Sequence, residues 1–348
     1  MPKVFTIGSA TMDVFVECDE TKVVSVTSKS SSSDFMSYPY GSKLDMSGFS
    51  SNVGGGGVNT AFNFANLEFD TAAIFKIGDD IYSDGILKSF KKTNVDLSNI
   101  IQDKESSTGF SIILVSFQGD RTVLAHRGTN AQIKEEEINF DELKKADLLY
   151  IAPLNGESNK VLMPLVDFAK KNNIKVCFNA GTTSLHKGWH YIKDVLKEVH
   201  VVVMNKEEAS ICTEIFVRPD TKDKSYSNEI IHPDIKHMLK KLKVKDYQIV
   251  VITDGGNGAY AYNGKSFYYC PVFESKVIST LGAGDSFAST FCAALYKTKN
   301  IKDALKYAAV NSASVVSKFS ATEGILSFDE IEKHLNKNPD FKCIEVEK

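Results

Sequence analysis

The sequence predicts an α/β protein: a doubly wound, mostly parallel sheet with helices on both faces, plus a small sheet set apart from it. Two observations carry this. Short apolar runs that suit buried strands recur along the chain: VFTIG (4–8), AAIFKIG (72–78), LLYIA (148–152), IKVCFN (174–179), HVVVMN (200–205) and QIVVIT (248–253). Between many of them lie stretches of helical period, with Val58, Ala61, Phe62 and Ala65 on one face and Phe287, Phe291, Ala294 and Leu295 on another. Strand alternating with helix over this length argues for a parallel sheet covered on both sides. Ligands of such sheets bind outside the carboxyl ends of the strands, so the residues just after each run matter most.

Two regions break the rhythm. Residues 18–50 are polar and serine-rich, with SKSSSS at 28–33 and no clear helical stripe. Residues 107–127, STGFSIILVSFQGDRTVLAHR, read as a hairpin around the turn Gln118-Gly119-Asp120. Segments 11–50 and 105–128 are therefore expected to form a small β-lid over a site; the plainer alternative is a surface hairpin without function.

The chain has 348 residues, which an α/β fold accommodates as one large domain, here placed at 1–340 with a charged, peripheral tail at 341–348. A formal charge of −3 gives no electrostatic reason to expect nucleic acid or an anionic membrane as partner. Nothing approaches the ~20-residue apolar run of a membrane span. The start, MPKVFTIGSATMD, lacks the pattern of a signal peptide and reads as a first strand. The six cysteines stand singly, without a CxxC pair, several inside apolar runs where cysteine acts as a small hydrophobe. The expected compartment is the cytoplasm.

The strongest chemical signal is Ser279-Thr280-Leu281-Gly282-Ala283-Gly284-Asp285, opening a helix near Ser286. Small residues at 282–284 leave backbone N–H groups open, and the helix N-terminus behind them adds about half a positive charge. Gly282, Ala283 and Gly284 thus make an anion pocket suited to a phosphoryl group in transfer. Asp285 could take the proton of an attacking hydroxyl, or could only cap the helix. A second cluster, Gly54-Gly55-Gly56-Gly57-Val58-Asn59, opens another helix. It follows the polar insert and not the first strand, which sets it apart from a dinucleotide fingerprint. Gly55 and Gly56 admit a close polar ligand, with Asn59 offering an amide; a flexible linker is the alternative.

Weaker signals follow the strands. Asp13, after VFTIG, could accept bonds from vicinal hydroxyls or cap a turn. Asn205 and Glu208, after HVVVM, could present an amide and a carboxylate to magnesium and its waters, or cap a helix. Thr253, Gly255, Gly256 and Gly258 form a glycine-rich turn after QIVVI, suited to a nucleotide or to a hairpin. No GxxxxGK[ST], HExxH or GxSxG occurs.

Taken together these segments resemble the ribokinase, or phosphofructokinase-B, family of carbohydrate kinases, from the first strand to about residue 330. The GxGxN signature is Gly55-Gly56-Gly57-Val58-Asn59 and the late GAGD loop is Gly282 to Asp285. Ile77-Gly78-Asp79-Asp80, Gly119-Asp120-Arg121, NxxE at 205–208 and the 253–258 turn follow in the family's order. The resemblance implies a ribokinase-like fold with a β-lid, and ATP with Mg2+ as donor. Asp285 would be the general base and Gly282, Ala283 and Gly284 the anion hole. Asp13, Gly55, Gly56 and Asn59 would grip the acceptor. Asn205, Thr253, Gly255, Gly256, Gly258 and Asn311 would serve the nucleotide, and Glu208 the metal.

The implied reaction is phosphorylation of an alcohol group on a small sugar, by a monomer or a homodimer formed through the lid. A nucleoside kinase, a catalytically weak sugar-sensing protein and, more distantly, a nicotinamide-dependent dehydrogenase are the rivals. Three positions depart from the family pattern. Ser279 replaces an aspartate that helps many relatives hold potassium, so K+ dependence is doubtful. Thr290 stands where Gly or Ala is common. Tyr150-Ile151-Ala152-Pro153-Leu154-Asn155 lacks the glutamate that helps ribokinases bind ribose.

Overall fold

A computed structural model describes residues 1–28, 32–116, 121–217 and 230–347. Nine strands form the main sheet, in the spatial order Ile344–Glu347, Ser266–Cys270, Ala259–Tyr262, Ile249–Thr253, Val201–Asn205, Lys175–Asn179, Leu148–Ile151, Lys3–Ile7, Asp70–Ile74. The last six run parallel and the first three are antiparallel. The first strand is internal, with Val4 opposite Leu148 on one side and Thr71 on the other.

Successive residues of these strands feed two separate cores, as a strand buried on both faces requires. Phe5, Ile7, Leu149, Ile151, Val202 and Met204 face one, packed by helices Leu162–Lys171, Gly188–Leu196 and Pro233–Leu242. Val4, Leu148, Tyr150, Val201 and Val203 face the other, under helices Gly56–Asn66, Ala283–Thr298 and Ile301–Val316. The stripe Phe287, Phe291 and Ala294 lies in that second core, as its periodicity predicts. Val58 and Ala61 face a third cluster against Phe75 and Ile86.

A four-stranded sheet stands apart, ordered Arg121–His126, Gly109–Val115, Thr11–Glu17, Gly48–Gly54. The antiparallel pairing of its first two strands is the hairpin read from residues 107–127; the turn residues Gln118-Gly119-Asp120 lie outside the described residues. Within the polar insert, Lys22–Thr27 pairs with Ser32–Ser37 as a separate exposed ribbon. The run at 72–78 is broken: Asp70–Ile74 joins the main sheet, whereas Lys76–Ile77 pairs with Ile101–Gln102. At the chain's end, Ile344–Glu347 forms a largely exposed edge strand against Ser266–Cys270, with Lys302 Nζ 3.1 Å from a Glu345 carboxylate oxygen.

Candidate active site

The glycine cluster is a close-packed junction, not a flexible linker. Gly55 sits at φ +93°, and a Cβ there would lie 2.6 Å from the Ser9 carbonyl oxygen. The N–H of Gly57 donates to that carbonyl at 2.9 Å, and the N–H of Gly56 donates to Ser9 Oγ at 3.1 Å. The loop after the first strand and the start of helix Gly56–Asn66 are thereby locked together. One helical turn on, Asn59 donates from Nδ2 to Asp285 Oδ2 at 2.8 Å. Its Oδ1 is buried and unpartnered among the described residues, an acceptor left open for a ligand hydroxyl.

Asp285 reaches this point from the neighbouring helix on the same face of the sheet. Gly282 turns the chain at φ +75°, and helix Ala283–Thr298 starts behind it without any side-chain cap. Asp285 therefore does not serve as the cap; its carboxylate is turned to Asn59. A Cβ on Gly56 would lie 2.8 Å from Ala152 Cβ, which excludes a side chain there, and 3.5 Å from Asp285 Oδ1. Burial pushes the Asp285 carboxyl above its ordinary range, and the Asn59 amide pulls it back. The residue is only half-buried, so both protein and solvent act on it.

Asp13 lies inside strand Thr11–Glu17 of the small sheet, where its register partners are Asn52 and Ser111. Ser111 Oγ donates to Asp13 Oδ1, a contact that sequence reading missed because the two are 98 positions apart. Burial raises the Asp13 carboxyl most, the Ser111 hydrogen bond opposes this, and the negative charge of Asp285 adds to the rise. Repulsion between carboxylates is mutual. A base is active only when deprotonated, so activity stands above its folded pKa and falls as pH drops through it. Asp13→Asn removes one of the two charges and is expected to move the acid limb of the kcat/KM profile to lower pH. A limb that stays in place would uncouple the two carboxylates.

On the other side of the anion pocket opens a cleft of about 1010 Å³. Its polar end is lined by Asn205, Thr253, Gly255, Gly256 and Gly258 from two strand ends, and by Thr280 and Gly284 from the late loop. Its apolar end holds Val272, Phe273, Val277 and Val316. Asn205 and Glu208 form a reciprocal cap: Asn205 Oδ1 accepts from the Glu208 N–H at 2.8 Å, and Glu208 Oε2 accepts from the Asn205 N–H at 2.9 Å. Burial first, then the charges of Glu207 and Asp285, push the Glu208 carboxyl up to about 7, against the Asn205 hydrogen bond. Such a crowding of negative charge suits a divalent cation. Among the described residues no cluster of three metal-ligating side chains exists, so magnesium would draw most of its ligands from phosphate and water.

Asn311 is the sequence-predicted residue that the structure places elsewhere. It is fully buried; its Nδ2 donates to Asn63 Oδ1 at 2.9 Å and Thr290 Oγ1 at 2.7 Å, and its Oδ1 accepts from the Leu326 N–H at 2.9 Å. Nothing of the amide is left for a nucleotide. Asn63 Nδ2 also donates to Thr290 Oγ1 at 2.9 Å, which accounts for threonine at that position. This network ties helices Gly56–Asn66, Ala283–Thr298 and Ile301–Val316, and so fixes Asn59 relative to Asp285.

Arg121 was part of a motif but had no role assigned from sequence. At the start of strand Arg121–His126 of the small sheet it donates from Nη1 to Ser279 Oγ at 3.1 Å and from Nη2 to Thr280 Oγ1. Among the described residues no carboxylate pairs with it, and burial alone lowers its pKa. An unpaired, partly desolvated guanidinium thus stands at the mouth of the anion pocket. No helix among the described residues is long and apolar enough to cross a membrane.

Known proteins resemble this chain in sequence and fold. The chain is 28% identical over 304 residues to the 5-dehydro-2-deoxygluconokinase of Halalkalibacterium halodurans, covering 83% of this chain and 87% of the relative. It is 27% identical over 281 residues to the ribokinase of Staphylococcus aureus, covering 80% and 86%. Arabidopsis thaliana ribokinase, solved with ribose and ATP, superposes with a TM-score of 0.75 at 18% identity, over 96% of this chain and 98% of that one. Burkholderia thailandensis nucleoside kinase, solved with inosine, gives 0.74 at 12% identity, over 97% and 99%. The model of the pfkB family of carbohydrate kinases matches residues 1–327, and the chain belongs to that family.

Proposed function

We propose that this kinase transfers the γ-phosphoryl group of ATP to an alcohol group of a small sugar, with Asp285 as general base. One observation carries the reading: Asn59 holds the Asp285 carboxylate between the acceptor side, marked by Asp13 and Gly56, and the helix N-terminus behind Gly282, Ala283 and Gly284. The sugar hydroxyl would give its proton to Asp285 as its oxygen attacks the phosphoryl group. The N–H groups of the late loop would stabilise charge on the transferring oxygens, and the cleft would hold nucleotide with phosphates toward Thr253–Gly258. Magnesium would neutralise phosphate charge, with Asn205 and Glu208 orienting its waters. The four-stranded sheet would act as a lid that excludes water and brings Asp13 to the acceptor. The named sugar kinases among its relatives favour a sugar over a nucleoside. ADP release measured across neutral sugars, sugar acids and nucleosides tests this; turnover confined to nucleosides would overturn the sugar assignment. The enzyme would work in the cytoplasm, as a monomer or as a homodimer through the lid.

Arg121 would add a positive charge to the transferred group as the lid closes. Arg121→Ala is expected to lower kcat on the order of 10²-fold, with Arg121→Lys intermediate and melting unchanged. An unaltered kcat would confine Arg121 to bracing the loop. The same guanidinium bears on monovalent cations. Ser279 is neutral and already accepts from Arg121, so a fixed cation occupies the head of the loop. Exchanging potassium for a bulky organic cation at constant ionic strength should leave turnover nearly unchanged. Strong activation by potassium would show that backbone carbonyls suffice to bind it.

A further inference from the structure

Phosphoryl transfer has no use for two cysteines at the far edge of the main sheet. The antiparallel register there runs from Ser266 opposite Glu347 to Tyr269 opposite Ile344. One step further along it sets Cys270 opposite Cys343. Alternate residues share a face, so Cys270 lies with Tyr268 and Cys343 with Glu345. Across the pair the Tyr268 hydroxyl donates to Glu345 Oε1 at 3.3 Å, which confirms the common face. Both cysteines pack into the same apolar cluster, Cys270 fully buried and Cys343 at its partly exposed margin. Opposed residues of an antiparallel pair have Cα atoms about 4.5–5.5 Å apart. A disulfide needs about 4.4–6.8 Å.

Access distinguishes the two sulfurs. The neighbouring Cys343 thiol, and then burial, raise the Cys270 thiol above its usual range, while the charge of Lys306 works the other way. Lys302, paired with Glu345, also feels Cys343. The margin is open on the Cys343 side only. Cys270 also borders the nucleotide cleft, and its carbonyl oxygen would lie 2.3 Å from a Cβ placed on Gly258.

We propose that Cys343 and Cys270 are a redox modification site, a thiol pair closed to a disulfide by a small oxidised disulfide such as glutathione disulfide. The Cys343 thiolate attacks one sulfur of glutathione disulfide, forming a mixed disulfide and releasing one glutathione. The Cys270 sulfur then attacks Cys343, and the second glutathione leaves with the Cys270 proton. Two cysteine thiols are oxidised and one glutathione disulfide is reduced to two thiols. The product staples the last strand of the chain to the sheet beside the nucleotide cleft.

The test incubates the folded, full-length protein with glutathione disulfide, followed by acid quench, alkylation and peptide mass mapping. The expected result is loss of two of the six free thiols, a peptide pair joining residues 270 and 343, no retained glutathione, and reversal by dithiothreitol. Amide exchange at 344–347 should slow about tenfold, since the strand can no longer fray. Cys343→Ser should keep its remaining thiols free, and Cys270→Ser should stop at the glutathione adduct on Cys343. Six alkylated thiols in the parent, an adduct that never resolves, or a Cys343 link between two chains would each overturn the proposal.

Discussion

Asp285→Asn is expected to slow turnover by about 10²–10⁴-fold, the range lost with a general base. The amide keeps the shape of the side chain, and its oxygen can still accept the bond from Asn59. It cannot take a proton. ATP affinity, measured by calorimetry, should change little because the cleft walls and the late-loop N–H groups are untouched. Stability should move in the opposite direction to activity. Burial raises the Asp285 carboxyl in the folded chain, so between the unfolded and folded pKa the native state holds the extra proton. Its stability is fully present below the unfolded value and is lost as pH rises through the folded one. The variant should therefore melt above the parent at pH 7 and level with it below about pH 4. Parental turnover in the variant would remove Asp285 from the role of base. An unchanged melting point at pH 7 would show that the charge carries no burial cost.

Gly282→Ala should be nearly as damaging for a different reason. Its φ of +75° strains any L side chain by roughly 1–2 kcal/mol. The new methyl would also lie 2.4 Å from Ala321 Cβ and 3.0 Å from Ala321 Cα, and Ala321 is itself buried. The backbone must yield, and the N–H groups behind it swing away from the phosphoryl position. A fall in kcat of about 10²–10³ is expected, as when an oxyanion donor is lost, with a lower melting point. Gly284→Ala is the control for stability. A Cβ there meets open space and the residue has no positive φ, so its melting point should match the parent. Full activity in Gly282→Ala would mean that the loop N–H groups do not act on the transferred group.

The parts of this molecule legible in sequence are those where local pattern and tertiary role agree. The run at 248–253 becomes the strand Ile249–Thr253 because both of its faces are covered, and the glycine clusters mark true close approaches. Sequence reading failed where the partner is far along the chain. Asn311 sits on the right helix, yet Asn63 and Leu326 consume its amide, and neither is its neighbour in sequence. Arg121 acquires its contacts only where the small sheet meets the late loop, and Ser111 only where its strand pairs with that of Asp13. The last strand has too short and too charged a pattern to announce itself, since only Val346 packs inward on one side.

The bond from Asn59 to Asp285 joins residues 226 positions apart, and Asn63 reaches Ser289 and Thr290 across a similar span. In a chain made from its amino end, Asn59 and the glycine cluster exist long before the late loop and Asp285. Contacts of such separation form late in folding, because a large loop must close before they repay its entropy. A nascent or prematurely ended polypeptide thus holds Asn59 with nothing to orient and no loop to receive phosphate. With Asp285 as base, phosphoryl transfer would begin only once the chain is made through the late loop.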